Sequence, residues 1–224
     1  MRAIILNGHG GVDALGYVEN FPDPECGKDD VVVRVKSTSL NYHDIFTRNG
    51  MPGIKISMPM ICGLDVAGEI AEIGANVSGW KIGERVLIDP RNRVEGGLVG
   101  ETIHGGLAEY CRVREHQLVR IPDGVSFDQA SSLPVAYGTA HRMMMTIGQV
   151  KSDDKILILG ASGGVGTGAL LLAKMAGAEV VVCASSDSKM EKLKSLGADH
   201  AMTYMNNEFH KGVYELYGKP GRRG

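Results

Sequence analysis

Residues 155–184, KILILGASGGVGTGALLLAKMAGAEVVVCA, limit what this chain can fold into more than any other stretch. An apolar run at 156–159 leads into Gly160, Gly163, Gly164 and Gly166. A helical apolar pattern follows through Leu170, Leu171, Leu172, Ala173 and Met175; Gly177 ends it, and a second apolar run begins at Val180. Strand, glycine turn, helix and strand make a βαβ unit. The spacing Gly160-x-x-Gly163-x-x-Gly166 suits a dinucleotide. The first glycine permits the tight turn, the second lets backbone approach a pyrophosphate, and the third lets the helix pack close to the strand. The phosphates would rest on free N–H groups at the positive end of the helix dipole. Ser162, Gly164 and Val165 complete the predicted cofactor turn. Glycine turns also form for backbone reasons alone, and the strand–turn–helix context is what favours binding.

The 224 residues suit one or two domains at roughly 100–200 residues each. Hydrophobic residues make up 43% and charged residues 22%, the balance of a chain that buries a core. A net charge of −2 argues against an electrostatic nucleic-acid binder. No apolar run approaches the length of a membrane span, so none is expected. The N-terminus, MRAIILNGHGGVD, lacks a cleavage-like site, so no signal peptide is expected. Cys26, Cys62, Cys111 and Cys183 lie in unrelated segments without a C-x-x-C pair, which predicts free thiols and a cytoplasmic location.

The first part reads as β: strands are expected at 2–7, at 30–37 with alternating sides, at 66–73, at 83–88 and over 107–121. Residues 91–105, polar and glycine-rich, read as a mobile loop. After Pro122 the character changes. Ser126 and Gln129 form a capping box for one helix, and a second follows Pro134 through 141–145, with Met143, Met144 and Met145 as core. Beyond the βαβ unit come a helix at 187–196 that Asp187 would cap, a strand at 200–204 and an amphipathic segment at 208–217. Alternating β and α predicts a parallel, doubly wound sheet.

Further motifs stand beside the glycine turn: Gly63-Leu64-Asp65-x-x-Gly68, Val77-x-x-Trp80-x-x-Gly83-Glu84-Arg85-Val86, Gly105-Gly106-x-Ala108-Glu109-Tyr110, and Leu133-Pro134-Val135 with Thr139-Ala140. Together they resemble the medium-chain dehydrogenase/reductase superfamily over essentially the whole chain. The resemblance implies an α/β fold with a GroES-like, β-rich catalytic domain at 1–124 and a partial Rossmann NAD(P)-binding domain at 125–224. Zinc alcohol dehydrogenases of that family carry Gly-His-Glu where this chain has Gly63-Leu64-Asp65, and a Cys-x-x-Asp pattern where it has Asn41-Tyr42-His43-Asp44. Leu64 cannot ligate a metal, and an amide is a poor zinc ligand beside thiolate and imidazole. The loop matching the structural-zinc lobe has no cysteine. No zinc is therefore expected, and His43 and His104 do not make a site without further ligands. Asn41-x-x-Asp44-x-x-x-Arg48 and the glycine turn are similar to zinc-independent quinone oxidoreductases and enoyl reductases. A tyrosine of some of those enzymes is Phe46 here.

The resemblance implies reduction of a small-molecule quinone or enone by NADPH. Asn41 would donate a hydrogen bond to the substrate carbonyl, Asp44 would support the site from behind, and Thr139 would contact the nicotinamide; Asn41 also reads as a structural amide ending a strand. His43 and Tyr42 are alternative proton donors. At the end of the second Rossmann strand, where NAD enzymes place an acidic residue, this chain has Ala184 followed by Ser185, Ser186 and Lys189, which suits a 2′-phosphate and favours NADPH over NADH. Tyr204 resembles a family residue near the adenosine. The alternatives are a zinc-type alcohol dehydrogenase-like oxidoreductase and an inactive nucleotide-binding relative.

Family members continue past the point where this chain stops. In the strand order 3-2-1-4-5-6 the fourth strand pairs with the first, so the strand at 155–159 is expected to be a bare edge. The expectation for the 224 residues alone is weak binding of the adenosine-phosphate end, little hydride transfer, and self-association into a homo-oligomer.

Overall fold

The computed structural model describes residues 1–205 and 208–219. Backbone contacts divide the chain into two compact units, Met1–Val135 and Ala136–Gly224.

The first unit holds β1 (Ala3–Leu6), β2 (Leu15–Val18), β3 (Asp30–Ser39), α1 (Tyr42–Asn49), β4 (Met60–Ile61), β5 (Asp65–Ile73), β6 (Arg85–Ile88), β7 (Tyr110–Arg114), β8 (Leu118–Arg120) and α2 (Phe127–Ser131). A five-stranded antiparallel sheet runs β7-β3-β5-β6-β8, and a three-stranded one β2-β1-β4. The long pair β3–β5 runs from Val31 opposite Ile73 to Ser39 opposite Asp65. Val31, Val33, Val66, Ile70, Val86 and Ile88 are buried together beside it. Val32 is buried as well, so the start of β3 is covered on both faces and its sides do not alternate between core and solvent. Gly68 sits where β5 presses on β3, and a Cβ there would lie 2.1 Å from the carbonyl oxygen of Arg34.

Residues 91–105 are not a free loop. Bridges join Arg91 to Leu98 and Val99 to Ile103, the Asn92 side chain accepts the N–H groups of Val94 and Glu95, and Val99 is fully buried against the sheet. The polar composition hid a segment that satisfies its own backbone and sends apolar side chains inward. The strand expected over 107–121 is broken by a 3₁₀ turn at Glu115–Gln117. The buried Gln117 amide accepts the Arg114 N–H and donates to the Asp89 carbonyl, bonds a continuous strand would not provide. The capping box is present: Ser126 Oγ accepts the Gln129 N–H and Gln129 Oε1 accepts the Ser126 N–H.

The second unit holds α3 (Ala136–His141), a π turn (Arg142–Ile147), β9 (Lys155–Ile158), α4 (Gly164–Met175), β10 (Glu179–Ala184), α5 (Asp187–Ser195), β11 (His200–Thr203) and α6 (Phe209–Tyr217). Its sheet is parallel, ordered β11-β10-β9. Central β10 is buried from Val180 to Ala184, and α4 supplies Ala169, Leu170 and Ala173 to the same core. The three methionines do not share one fate. Successive residues of a helix point about 100° apart, so one core cannot take all three: Met143 faces outward, at 53% exposure, while Met144 is buried and Met145 packs partly against the core. Ser186, not Asp187, takes the N-cap position of α5, and Asp187 lies in the first turn, where its charge faces the helix dipole. Strand β9 lies at the edge of this sheet with Leu157 and Leu159 exposed.

Gly68→Ala is expected to destabilise the first unit by about 2–4 kcal/mol, because the clash is with backbone. Gly138→Ala, on the open face of α3 with nothing within 4 Å of the added carbon, is expected to gain up to about 1 kcal/mol. Denaturant unfolding midpoints check both; a neutral Gly68→Ala would contradict the tight β3–β5 contact.

Candidate functional site

Strand β3 ends at Ser39 and α1 begins at Tyr42, so Asn41 sits at the N-cap with extended backbone. The turn is held by two carboxylates. Asp44, 8% exposed, accepts the Asn41 N–H at 2.8 Å through Oδ2 and the Gly63 N–H at 3.0 Å through Oδ1. Gly63 has φ +97°, and a Cβ on it would lie 2.9 Å from the Leu107 nitrogen, so only glycine brings that N–H to Asp44. Asp65 is fully buried. Its Oδ2 accepts from Ser39 Oγ at 2.6 Å and from Asn41 Nδ2 at 2.8 Å, and its Oδ1 accepts the Val135 N–H at 2.9 Å. Burial pushes the pKa values of both carboxyls above the ordinary carboxylate range, and these hydrogen bonds oppose the shift.

A 340 Å³ cavity opens beside this turn, lined by Leu15, Leu40, Asn41, Tyr42, Asp44, Ile45, Arg48, Cys62 and Leu107. Its walls are mostly apolar, with polar groups on Asn41, Tyr42, Asp44 and Arg48, the pattern of a small-molecule site with a few orienting polar groups. Burial and the nearby Asp44 charge push the Cys62 thiol up to about 11, so it stays protonated at neutral pH. His43 is not a solvated loop histidine: its Nε2 lies 2.7 Å from Oε2 of the buried Glu101. The His104 Nδ1 accepts the Ile61 N–H. Among the described residues, no group of three or more His, Cys, Asp or Glu side chains is placed to hold a metal ion.

In the second unit, Gly160 has φ +63° and Gly163 is the N-cap of α4. A Cβ on Gly160 would meet nothing within 4 Å, and one on Gly163 only the Gly160 carbonyl at 3.5 Å, so both glycines border open space that side chains would fill. A Cβ on Gly166 would lie 2.6 Å from Ala161 Cα, so this glycine serves close packing. Ser162 and Gly164 are exposed and Val165 half-buried. The first-turn N–H groups of α4 lack intrahelical acceptors, and with open space at Gly160 and Gly163 the turn fits a dinucleotide phosphate. Just past β10, Lys189 Nζ donates to Ser185 Oγ at 3.1 Å, and the Ser186 and Ser188 hydroxyls are 3.3 Å apart. Tyr204 follows β11 directly, and Thr139 is exposed on α3. The predicted residues thus form two groups. Asn41 and Asp44 are joined in the first unit; the glycine turn, Ser185, Ser186, Lys189, Tyr204 and Thr139 belong to the second.

Sequence reasoning passed over Asp65, the Glu101 partner of His43, and Cys62 as cavity lining. Asp65 stood in the Gly63-Leu64-Asp65 motif and was weighed only for the missing metal ligand at Leu64. Its partners Ser39 and Asn41 lie 26 and 24 residues away, so no local pattern marks the pairing.

Residues 27–123 match the alcohol dehydrogenase GroES-like domain, and residues 164–222 match the zinc-binding dehydrogenase family. The chain is 35% identical over 206 residues to an NADPH-dependent alkenal/one oxidoreductase, chloroplastic, of Arabidopsis thaliana, covering 91% of this chain and 52% of that protein. It is 36% identical over 216 residues to a chloroplastic quinone oxidoreductase of Triphysaria versicolor, covering 93% and 62%. The chain therefore spans only about half to three fifths of these relatives. Its structure resembles that of an NAD-dependent alcohol dehydrogenase with a TM-score of 0.91 at 32% identity, covering 97% of this chain and 68% of the other. With a GroES-like β unit, a parallel Rossmann-type sheet and these likenesses along its length, the chain belongs to the medium-chain dehydrogenase/reductase superfamily.

Proposed function

We propose that the protein carrying this sequence transfers a hydride from NADPH to a quinone or an α,β-unsaturated carbonyl without a metal ion. The observation that carries this reading is the Asn41 amide, held by a buried carboxylate at the wall of an apolar cavity. When bound, NADPH supplies the hydride. The chain's own residues then have separate tasks. The glycine turn from Gly160 to Gly166 cradles the pyrophosphate. Ser185, Ser186 and Lys189 hold the 2′-phosphate, Tyr204 stands by the adenosine, and Thr139 contacts the nicotinamide.

Asn41 has two N–H donors, and Asp65 takes one. The other is available to the substrate carbonyl oxygen, where negative charge grows as the conjugated double bond is reduced. The apolar walls hold the body of the quinone or enone and exclude water. Asp44 supports this donor indirectly, by fixing the backbone at Asn41 and Gly63. For the proton that completes the reduction, Tyr42 is favoured over His43, because Tyr42 lines the cavity while His43 Nε2 is engaged by Glu101.

The likeness to an alcohol dehydrogenase favours a second reading, oxidation and reduction at a carbonyl carbon. Leu64 and Asn41 at the metal-ligand positions weigh against its zinc-dependent form. The four unpaired thiols support a reducing compartment.

Lys189→Ala is expected to raise the dissociation constant for NADPH by tenfold or more, about 1.5–3 kcal/mol, while leaving NADH unchanged. Equal losses for the two cofactors, read by fluorescence titration, would contradict the 2′-phosphate assignment. Asn41→Ala is expected to lower kcat with a simple quinone by about 100-fold at unchanged NADPH affinity. Steady-state kinetics check this, and an unaltered kcat makes Asn41 structural. Elemental analysis of the purified protein is expected to find no stoichiometric zinc; one zinc per chain, lost together with activity on chelation, would favour the alcohol dehydrogenase reading.

A further inference from the structure

A fully buried carboxylate without a cationic partner is costly unless both of its oxygens are hydrogen-bonded. Asp65 meets this condition with donors from three separate places: Ser39 at the end of β3, Asn41 at the start of α1, and Val135, the last residue of the first unit. Its backbone carbonyl also accepts from Thr38 Oγ1 at 2.6 Å. The two carboxylate oxygens do different things. Oδ2 faces the Asn41 amide, and Oδ1 faces the backbone where the chain leaves the unit.

An ionised carboxylate only accepts. The Asn41 amide must therefore turn its NH₂ toward Asp65, since the flipped amide would set two oxygens against each other. The second N–H and the carbonyl oxygen of that amide are fixed in direction as a result. We propose that Asp65 is the positioning residue of this site, orienting the Asn41 amide with one oxygen and seating the chain at Val135 with the other. The first half rests on the reading of Asn41 as the substrate-carbonyl donor; the second does not.

Asp65→Asn tests both halves without changing the size of the buried group. An asparagine offers one acceptor side and one donor side, so it conflicts either with the Asn41 and Ser39 donors or with the Val135 N–H. Ser37→Ala is the control for simple loss of a structural hydrogen bond on β3, the strand paired with that of Asp65, because Ser37 Oγ pairs with Ser131 Oγ at 2.8 Å. Two readouts decide: amide hydrogen exchange at Val135, and kcat against KM with NADPH and a simple quinone. In Asp65→Asn at least one of the two is expected to move: where the new NH₂ faces Val135, exchange there quickens about tenfold or more while amides in β3 and β5 keep their protection. Where it faces Asn41 and Ser39 instead, kcat falls about 10–100-fold with KM little changed. Ser37→Ala is expected to do neither. Wild-type kcat together with wild-type protection at Val135 would overturn the proposal, as would a loss of protection spread evenly over the unit. Wild-type turnover in Asn41→Ala would instead overturn the donor reading beneath the first half, and exchange at Val135 would still decide the second.

Discussion

One buried charge dictates the geometry of the first unit's site. Asp65 has no exposed surface, and an unmatched buried carboxylate or donor costs about 1–3 kcal/mol or more. The strand end, the helix start and the exit of the chain must therefore converge on it. Asp44 completes the arrangement from the helix side by taking the backbone N–H groups of Asn41 and Gly63. With these two carboxylates in place, Asn41 is a rigid donor rather than a loop side chain, and rigidity is what makes a hydrogen bond to a developing charge effective. The cavity beside it adds the low-polarity surroundings that strengthen such a bond.

The second unit depends on backbone freedom instead of charge. Gly160 and Gly163 leave space where side chains would stand, and Gly166 lets α4 lie against the turn. A central parallel strand must be covered on both faces, and β10 meets this with an unbroken buried run. Its end then delivers Ser185 and Lys189 to the surface, already in contact with each other. On the proposed reading, affinity for an anionic cofactor arises here from N–H groups and one cation on a preformed frame.

The βαβ unit was legible because three local signals agreed: apolar runs of strand length, glycines at fixed spacing, and a helical period between them. The Ser126–Gln129 capping box was legible for the same reason, since both partners lie within one turn. Residues 91–105 were misread because side-chain polarity says nothing about whether a backbone satisfies itself. The three methionines were read as one block because their apolar character was weighed without the helical period, which spreads neighbouring residues around the axis. Asp65 was missed on physical grounds too. Its partners stand 24, 26 and 70 residues away, and no periodicity reports pairings at those separations. The Asn-x-x-Asp spacing pointed to the site, while the carboxylate that orients it became visible only once strand ends and helix start met.

The central claim is that this site directs hydride to a conjugated carbon–carbon double bond with an amide, not a metal, at the carbonyl oxygen. The most direct test uses the complete protein that carries this sequence, NADPH deuterated at the transferred position, and an α,β-unsaturated ketone, with product analysed by NMR. The account predicts a saturated ketone with deuterium on the β-carbon, formed equally well after exhaustive chelation. An allylic alcohol with deuterium on the former carbonyl carbon would contradict it.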